Sequence, residues 1–424
     1  MRLTLVAAKP TDSVNFGFLP AAARLGLDVT LLTDQPAAHE RAIAGSRRLP
    51  RPGCVPSGAA QPADARPVEI LECDVWDARQ LIGALAARPA PDAVFSNSDH
   101  LQTQTALAAE YFGLPGKDWR SALRAKNKSL MRRRLAEAGV EHVAATEIRP
   151  GTRQPVPGLS YPVVLKPSEG VASEDVILVR GPDELTKQCA LIFARRPGET
   201  LLAEQYLPGG LHTLETLGDG ANSWLLGGFR TRLSPLPFFI EERLTWDFPA
   251  PEAAGEHVTG ALAALGATFG AGHTEYVLEE GRLPALIEVN DRIIGDHCDF
   301  VLSDLLGVDL FERVLRVHLG EPLPPGPPPA PAPDRAHAVI DYVVADRPGL
   351  LTATPEAGAQ RSTELGVLLS YRPLRAEGDH IEITHTNRDY LGVITAIGPN
   401  AAAVDLSVAA LRATGNWEIT ESRR

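Results

Sequence analysis

The sequence predicts a multi-domain protein of mixed α/β and α+β class: an N-terminal doubly wound α/β unit, an α+β middle rich in antiparallel hairpins, and a β-rich C-terminal unit. Three observations predict it. At 424 residues the chain exceeds what one core serves, and about three domains is the expectation for that length. As far as Gly116, short apolar runs alternate with helix-period segments, the pattern of a parallel sheet covered by helices. Finally, "EPLPPGPPPAPAPD" (321–334) carries eight prolines, which preclude helix and sheet interior and set off a smaller unit behind it.

In chain order, "LTLVAA", "VTLLT", "VEILEC" and "AVFSN" read as strands, and Ala78–Ala87 and Gln102–Phe112 as helices. "GLPG" (113–116) closes this first unit, 1–116. No G-x-G-x-x-G follows the first strand, which argues against a dinucleotide site there. Residues 117–200 and 201–320 form two subdomains mixing helices with hairpins, 321–334 is the connector, and 335–424 is the C-terminal unit. In that last unit "AVIDYVVA", "HIEITH" and "LGVITAIG" read as strands and Ala401–Thr414 as a helix.

The net charge of −12 argues against general affinity for nucleic acid or an anionic membrane, so any phosphate site must be built locally. The cysteines Cys54, Cys73, Cys189 and Cys298 form no C-x-x-C pair, which points to a reducing cytoplasm rather than a disulfide framework or zinc site. The opening "MRLTLVAAKP" is too short in its apolar run for a signal segment, and no run approaches the length of a membrane span.

Chemistry concentrates in four stretches. The first is the hairpin "GHTEYVL" (272–278) and "LPALIEV" (283–289), followed by Asn290 and Arg292. With "EEGR" as the turn, Glu275 is expected opposite Leu286 and diagonal to Glu288, roughly 7–8 Å away between Cα atoms. Glu288, Asn290 and Arg292 are then expected on one face with Glu275, with Ile287 and Val289 in the core. Two carboxylates so close repel each other or share a proton unless a cation sits between them, and hard oxygen donors without His or Cys favour Mg²⁺. Taken alone, this face reads equally as a solvated strand with an incidental Arg292 salt bridge.

In "YPVVLKPSEGVASEDVILV" (161–179), Lys166 ends a strand as a point charge suited to phosphate, and the following loop is placed to fold over it. In "LLAEQYLPGGLHTLETL" (201–217), an apolar strand runs into Pro-Gly-Gly and a second strand. "RAKNKSLMRRRLAEAGV" (124–140) is a basic amphipathic helix begun by Lys128 after an Asn127 cap, with Arg132–Arg134 read as a solvated face. Each of these also has an ordinary structural reading: an edge lysine, a plain β-turn-β, a surface helix.

Together, in this order, the pieces resemble the ATP-grasp superfamily of carboxylate–amine ligases across essentially the whole chain. "LIEVNDRIIGDH" (286–297) resembles its E-x-N-x-R signature, with Asp291 where proline is common. "HTEY" matches the upstream metal glutamate, "NKSLMR" and "YPVVLKP" the two nucleotide lysines, and "AEQYLPG" the adenine hinge. The resemblance implies that Lys128 and Lys166 bind ATP phosphates, and that Glu204, Gln205 and Leu207 hold the adenine with His212 near the ribose. It further implies that Glu275, Glu288 and Asn290 bind Mg²⁺, and that Arg292 stabilises an acyl phosphate. The loop "SEGVASEDV" (168–176) departs from the family, with Asp175 where a glycine is usual.

The implied reaction joins a carboxylic acid to an amine at the expense of ATP, most like L-amino-acid ligases and natural-product amide synthetases. "SPLPFFIEERLTWDFPA" (234–250) resembles their substrate-lining stretch, which puts Glu241 and Arg243 near substrate. Similar proteins are often dimers, so a homodimer is among the implied assemblies. Two rivals stay open: a biotin-carboxylase or purine-pathway carboxylation, and a non-catalytic nucleotide-binding module, which the acidic loop favours.

Overall fold

The computed structural model describes residues 1–46, 51–53, 67–152, 159–249 and 252–421; Cys54 lies outside them. The N-terminal unit is a parallel sheet in the order Glu69–Glu72, Asp28–Thr33, Arg2–Val6, Ala93–Phe95. Leu3, Leu5, Leu31 and Leu32 are buried, as leucine-rich strands covered on both faces must be. Helices Ala78–Ala86 and Gln102–Tyr111 fall within a residue of their expected spans. The first starts where Asp77 accepts the Arg79 N–H at 2.9 Å, leaving fewer unpaired donors in the opening turn. Strand order reverses between Arg2–Val6 and Ala93–Phe95, the point at which open α/β sheets present their loops to a ligand.

The next sheet is antiparallel, in the order Ala145–Ile148, Leu201–Gln205, Val163–Pro167, Ile177–Val179. Leu201–Gln205 was expected to open the second lobe, but lies inside the first. Its inward side chains, Leu201 and Ala203, fill the same core as Val163 and Leu165. The divide therefore falls after Gln205, where the strand becomes exposed.

Among the described residues, the largest sheet has ten strands. It runs Ala285–Asn290, Phe269–Leu278, Gly210–Asp219, Phe229–Leu233, Glu241–Trp246, His337–Val344, Tyr390–Gly398, Leu368–Pro373, Gly358–Arg361, with Ser223–Gly227 also on Gly210–Asp219. The C-terminal unit is thus joined by backbone hydrogen bonding: Thr245 pairs with Val339 and Arg243 with Asp341. Helix Ala401–Thr414 is as expected, capped by Asn400 accepting the Ala403 N–H. "HIEITH" yields only the short strand His380–Ile381. The reason is local: the N–H groups of Thr384 and His385 bond the Asp389 carboxylate, at 2.9 and 2.8 Å, instead of a neighbouring strand.

Candidate functional site

The hairpin Phe269–Leu278 and Ala285–Asn290 forms, but its register differs from the expected one. Near the turn Val277 pairs with Ala285 and Tyr276 with Leu286; a bulge at Ile287 then sets Glu275 directly opposite Glu288. One extra residue in the turn and one in the bulge account for the displacement. The bulge also exchanges the core residues. Leu286 is buried with Val289 and Tyr276, while Ile287 is only half-buried. The strand ends at Asn290, so Arg292 leaves the expected face: its N–H donates to the Asn290 carbonyl at 2.8 Å and its Nη1 to the Ile293 carbonyl at 2.9 Å. It lies instead beside Asp99, whose carboxyl burial would raise, but which the Lys126 and Arg292 charges hold below its ordinary value.

Lys128 opens helix Lys128–Glu137, with Asn127 capping it by accepting the Leu130 N–H at 3.1 Å. Its Nζ lies 2.5 Å from Glu288 Oε2 and donates to the Gly170 carbonyl at 3.3 Å. One ammonium thus joins the acidic strand to the phosphate-loop candidate. Asn290 Nδ2 donates to Glu288 Oε1 at 2.9 Å. Burial pushes the Glu288 carboxyl up, but Lys128 and Asn290 outweigh it and hold it well below the usual carboxylate range.

Beside this lies a relay whose central residue, His273, the sequence reading did not single out. His273 Nδ1 is 2.9 Å from Glu215, and its Nε2 is 3.4 Å from Glu275. Burial opposes its protonation, yet the two carboxylates push the imidazole up to about 10. Glu241 adds a further acid, pushed up to about 8 by burial and by the Glu275 charge. Among the described residues, no three Asp, Glu, His or Cys side chains gather closely enough to hold a metal by themselves.

Lys166 forms an ion pair with Glu204, whose other oxygen accepts from Arg132 Nε at 3.0 Å. Burial would raise the Glu204 carboxyl, but Arg132 and Lys166 bring it to about 2. Arg132 is therefore not on a solvated face: its side chain is 5% exposed, and it also donates to Glu141 at 2.8 Å. Glu141 in turn accepts the Leu286 N–H at 2.8 Å. The sequence contained the signal, because Arg132 lies one turn after Lys128 and shares its helix face.

Gln205 N–H donates to the Ala144 carbonyl at 2.8 Å, and Leu207 follows, half-buried, past the strand end. His212 stands 3.3 Å from Asp247, its ring stacked on Tyr276 at 5.7 Å. Glu241 and Arg243 were expected together near substrate. A bulge at Glu242 separates them: Leu233 pairs with Glu241 but Arg232 with Arg243. Glu241 turns to the acidic group and Arg243 to the C-terminal unit, where it meets Asp341 at 3.1 Å and also Asp405.

The departures from the family wording also find their places. Asp291 forms a buried ion pair with Lys117 at 3.0 Å, just past the end of the N-terminal unit. Two of the loop acids are taken up by arginines: Glu174 pairs with Arg196 and Arg388, and Asp175 with Arg195 and Arg196, while Glu169 accepts from Asn127 Nδ2 at 2.7 Å. A second polar group, unread in the sequence, sits at the strand-order reversal. Asp12 is 3.0 Å from both His297 and Arg372, and Arg372 lies over the Phe16 ring.

Two antiparallel lobes facing one another across Lys128, Lys166 and paired glutamates, behind a parallel α/β unit, are the ATP-grasp architecture, and the chain has that fold. It is similar over 99% of its length to the L-amino acid ligase of Bacillus licheniformis, at a TM-score of 0.73 and 21% identity, covering 99% of that chain. It is also similar, at 0.67 and 19% identity, to the biotin carboxylase domain of Hydrogenobacter thermophilus 2-oxoglutarate carboxylase, solved with MgADP and bicarbonate, covering 99% of this chain and 90% of that one. In sequence it is 24% identical to the uncharacterised protein y4rH of Sinorhizobium fredii, over 99% of this chain and 84% of that protein. No protein-family model matches the chain. Among the described residues, no helix is long and apolar enough to cross a membrane.

Proposed function

We propose that this protein is an ATP-dependent carboxylate–amine ligase, joining an amino acid to a small acid with release of ADP and phosphate. The observation that carries the reading is Glu275 standing opposite Glu288, with Lys128 bridging Glu288 to the Gly170 carbonyl. Two facing carboxylates, one already neutralised by an ammonium, form an all-oxygen donor set that fits Mg²⁺ shared with phosphate oxygens. Glu275 and Glu288 would hold the metal, with Asn290 orienting Glu288. Bound there, Mg²⁺ supplies positive charge to the transferring phosphoryl group.

The remaining roles follow from charge and position. Lys128 and Lys166 would bind the ATP phosphates, where positioning and neutralisation do most of the work. Glu204 holds Lys166 in place. Because Ala144 occupies the Gln205 N–H, the adenine falls to backbone groups of Leu207, with His212 toward the ribose. A carboxylate is a poor acylating agent because its leaving group is oxide. Taking the γ-phosphoryl group makes an acyl phosphate, and amine attack on its carbonyl then expels phosphate. Arg292 would stabilise the oxyanion that forms, and Glu241 would line the substrate side. The buried, unpaired cysteines Cys73, Cys189 and Cys298 support a cytoplasmic setting.

The similarity to a biotin carboxylase domain supports a second reading, carboxylation with bicarbonate. The non-catalytic alternative loses its main support, since Glu174 and Asp175 are paired with arginines. The test is ADP release across amino-acid pairs, hydroxy acids and polycarboxylates, with mass spectrometry of the product. A condensed amide without bicarbonate is expected. Release that requires bicarbonate would favour carboxylation, and no release with any acid–amine pair would overturn the ligase.

A further inference from the structure

The loop 168–176 is fastened by residues outside the lobe that carries it. Ala172, Ser173 and Asp175 have φ of 55°, 55° and 57°, left-handed conformations that non-glycine residues keep only when their surroundings enforce them. Part of the enforcement comes from Arg195, Arg196 and Phe239. Asp175 meets Arg195 and Arg196, and Ser173 Oγ donates to the Phe239 carbonyl at 2.8 Å.

The rest comes from the C-terminal unit. Asn387 N–H donates to the Ala172 carbonyl at 3.2 Å, and Arg388 pairs with Glu174. The same Asn387 accepts the Glu241 N–H on its Oδ1, at 3.2 Å. His385 stacks flat on Phe238, with ring centroids 3.9 Å apart. The turn making these contacts is itself fixed. Buried Asp389 accepts from Thr384 and His385, and Thr386 Oγ1 caps the short helical turn Asn387–Asp389 by accepting the Arg388 N–H at 3.1 Å.

We propose that Asn387 is a positioning residue that holds the phosphate loop and the Glu241 strand in one register, so that the C-terminal unit sets the closed form of the site. This rests on the reading that the loop covers the triphosphate. Asn387 outranks its neighbour: the Arg388 side chain is 60% exposed, and such ion pairs contribute little, whereas the bond from Glu241 to Asn387 is part-buried. Asn387 also touches both elements at once, through its backbone N–H and its side chain.

Two substitutions separate these bonds. N387A removes the bond to Glu241 and keeps the one to Ala172. N387P removes both, and the turn accepts proline: position 387 opens a helical turn, and Thr386 before it is extended at φ −133°, ψ 173°. The amides of Glu174 and Val176, bonded to the Val171 and Ser173 carbonyls at 3.1 and 3.3 Å, report loop closure by hydrogen exchange.

In the full chain, N387A is expected to speed their exchange about fivefold and N387P about tenfold or more, each lost bond being a modest net term. R388Q should stay within about twofold. The KM for MgATP should rise in step, with kcat changing less and the melting temperature held. Unchanged exchange in N387A and N387P would overturn the proposal, as would an N387P effect no larger than that of R388Q. Exchange is read without substrates and again with MgADP. Failure to turn over any acid–amine pair would therefore count against the ligase and leave the exchange result to decide on Asn387.

Discussion

Glu275 and Glu288 face each other directly across two antiparallel strands, because a bulge at Ile287 adds a residue to one of them. Without the bulge Ile287 would stand opposite Glu275, and Glu288 would turn to the core side with Leu286. A single inserted residue thus exchanges an aliphatic side chain for a carboxylate opposite Glu275, and two acids at that spacing call for a cation or a shared proton. Lys128 supplies one unit of positive charge.

Glu288→Ala should therefore remove both a metal donor and the partner of Lys128. ADP release is expected to fall by more than about 1000-fold, beyond the loss typical of one stabilising donor. Glu275→Gln should instead raise the Mg²⁺ concentration needed for half-maximal ATP turnover. Steady-state kinetics with Mg²⁺ titration checks both. Wild-type turnover in Glu288→Ala would remove the basis of the metal assignment.

Arg292 lies off the strand face, so its loss should leave the metal requirement alone. Arg292→Ala is expected to lower kcat about 100–1000-fold at an unaltered Mg²⁺ midpoint. A shifted midpoint would place the guanidinium with the metal rather than with the acyl carbonyl.

Much of the fold was legible because it obeys short-range rules. Ala78–Ala86, Gln102–Tyr111 and Ala401–Thr414 follow from apolar period and cap residues. The Glu275–Glu288 strand pair was legible too, but not its register, since bulges at Ile287 and Glu242 leave no mark on the local alternation. Arg132 was misread for a different reason. A charged helix face is usually solvated, and its partners Glu141 and Glu204 lie 9 and 72 residues away in the chain. The Asp12–His297–Arg372 group, drawn from three distant segments, was beyond sequence reading altogether.

Removing Arg132 tests the buried network. Arg132→Ala leaves Glu204 and Glu141 with one fewer cation in a site almost closed to water, and should cost about 3–5 kcal/mol of stability. Urea unfolding reads this. A loss under about 1 kcal/mol, the range of exposed ion pairs, would mean that water reaches Glu204.

Arg243 separates the structural assignment from the sequence expectation. It is bound to Asp341 at the seam of the large sheet and also pairs with Asp405. Arg243→Met should lower stability by about 1–3 kcal/mol, since Asp341 keeps Arg412 as a partner. The KM of both co-substrates should stay within about twofold. A tenfold rise in either, about 1.4 kcal/mol, would return Arg243 to the substrate site.

Asp299 gives the clearest dependence on pH. It is fully buried behind the strand-order reversal, and burial pushes its carboxyl up to about 6, against the pull of Ser13, His297 and Arg51. A carboxyl raised on folding binds its proton more tightly in the native state. Its stabilising contribution is therefore complete below its ordinary value of 3.8 and is lost as the pH rises through about 6. The loss amounts to roughly 3 kcal/mol above that pH. Asp299→Asn keeps the shape of the protonated acid and does not ionise. It should match the wild type near pH 4 and exceed it at pH 8 by up to about 3 kcal/mol in urea unfolding. All other titrating groups are shared, so the difference between the two curves isolates this carboxyl. An equal difference at both pH values would show that Asp299 ionises at no cost to the fold.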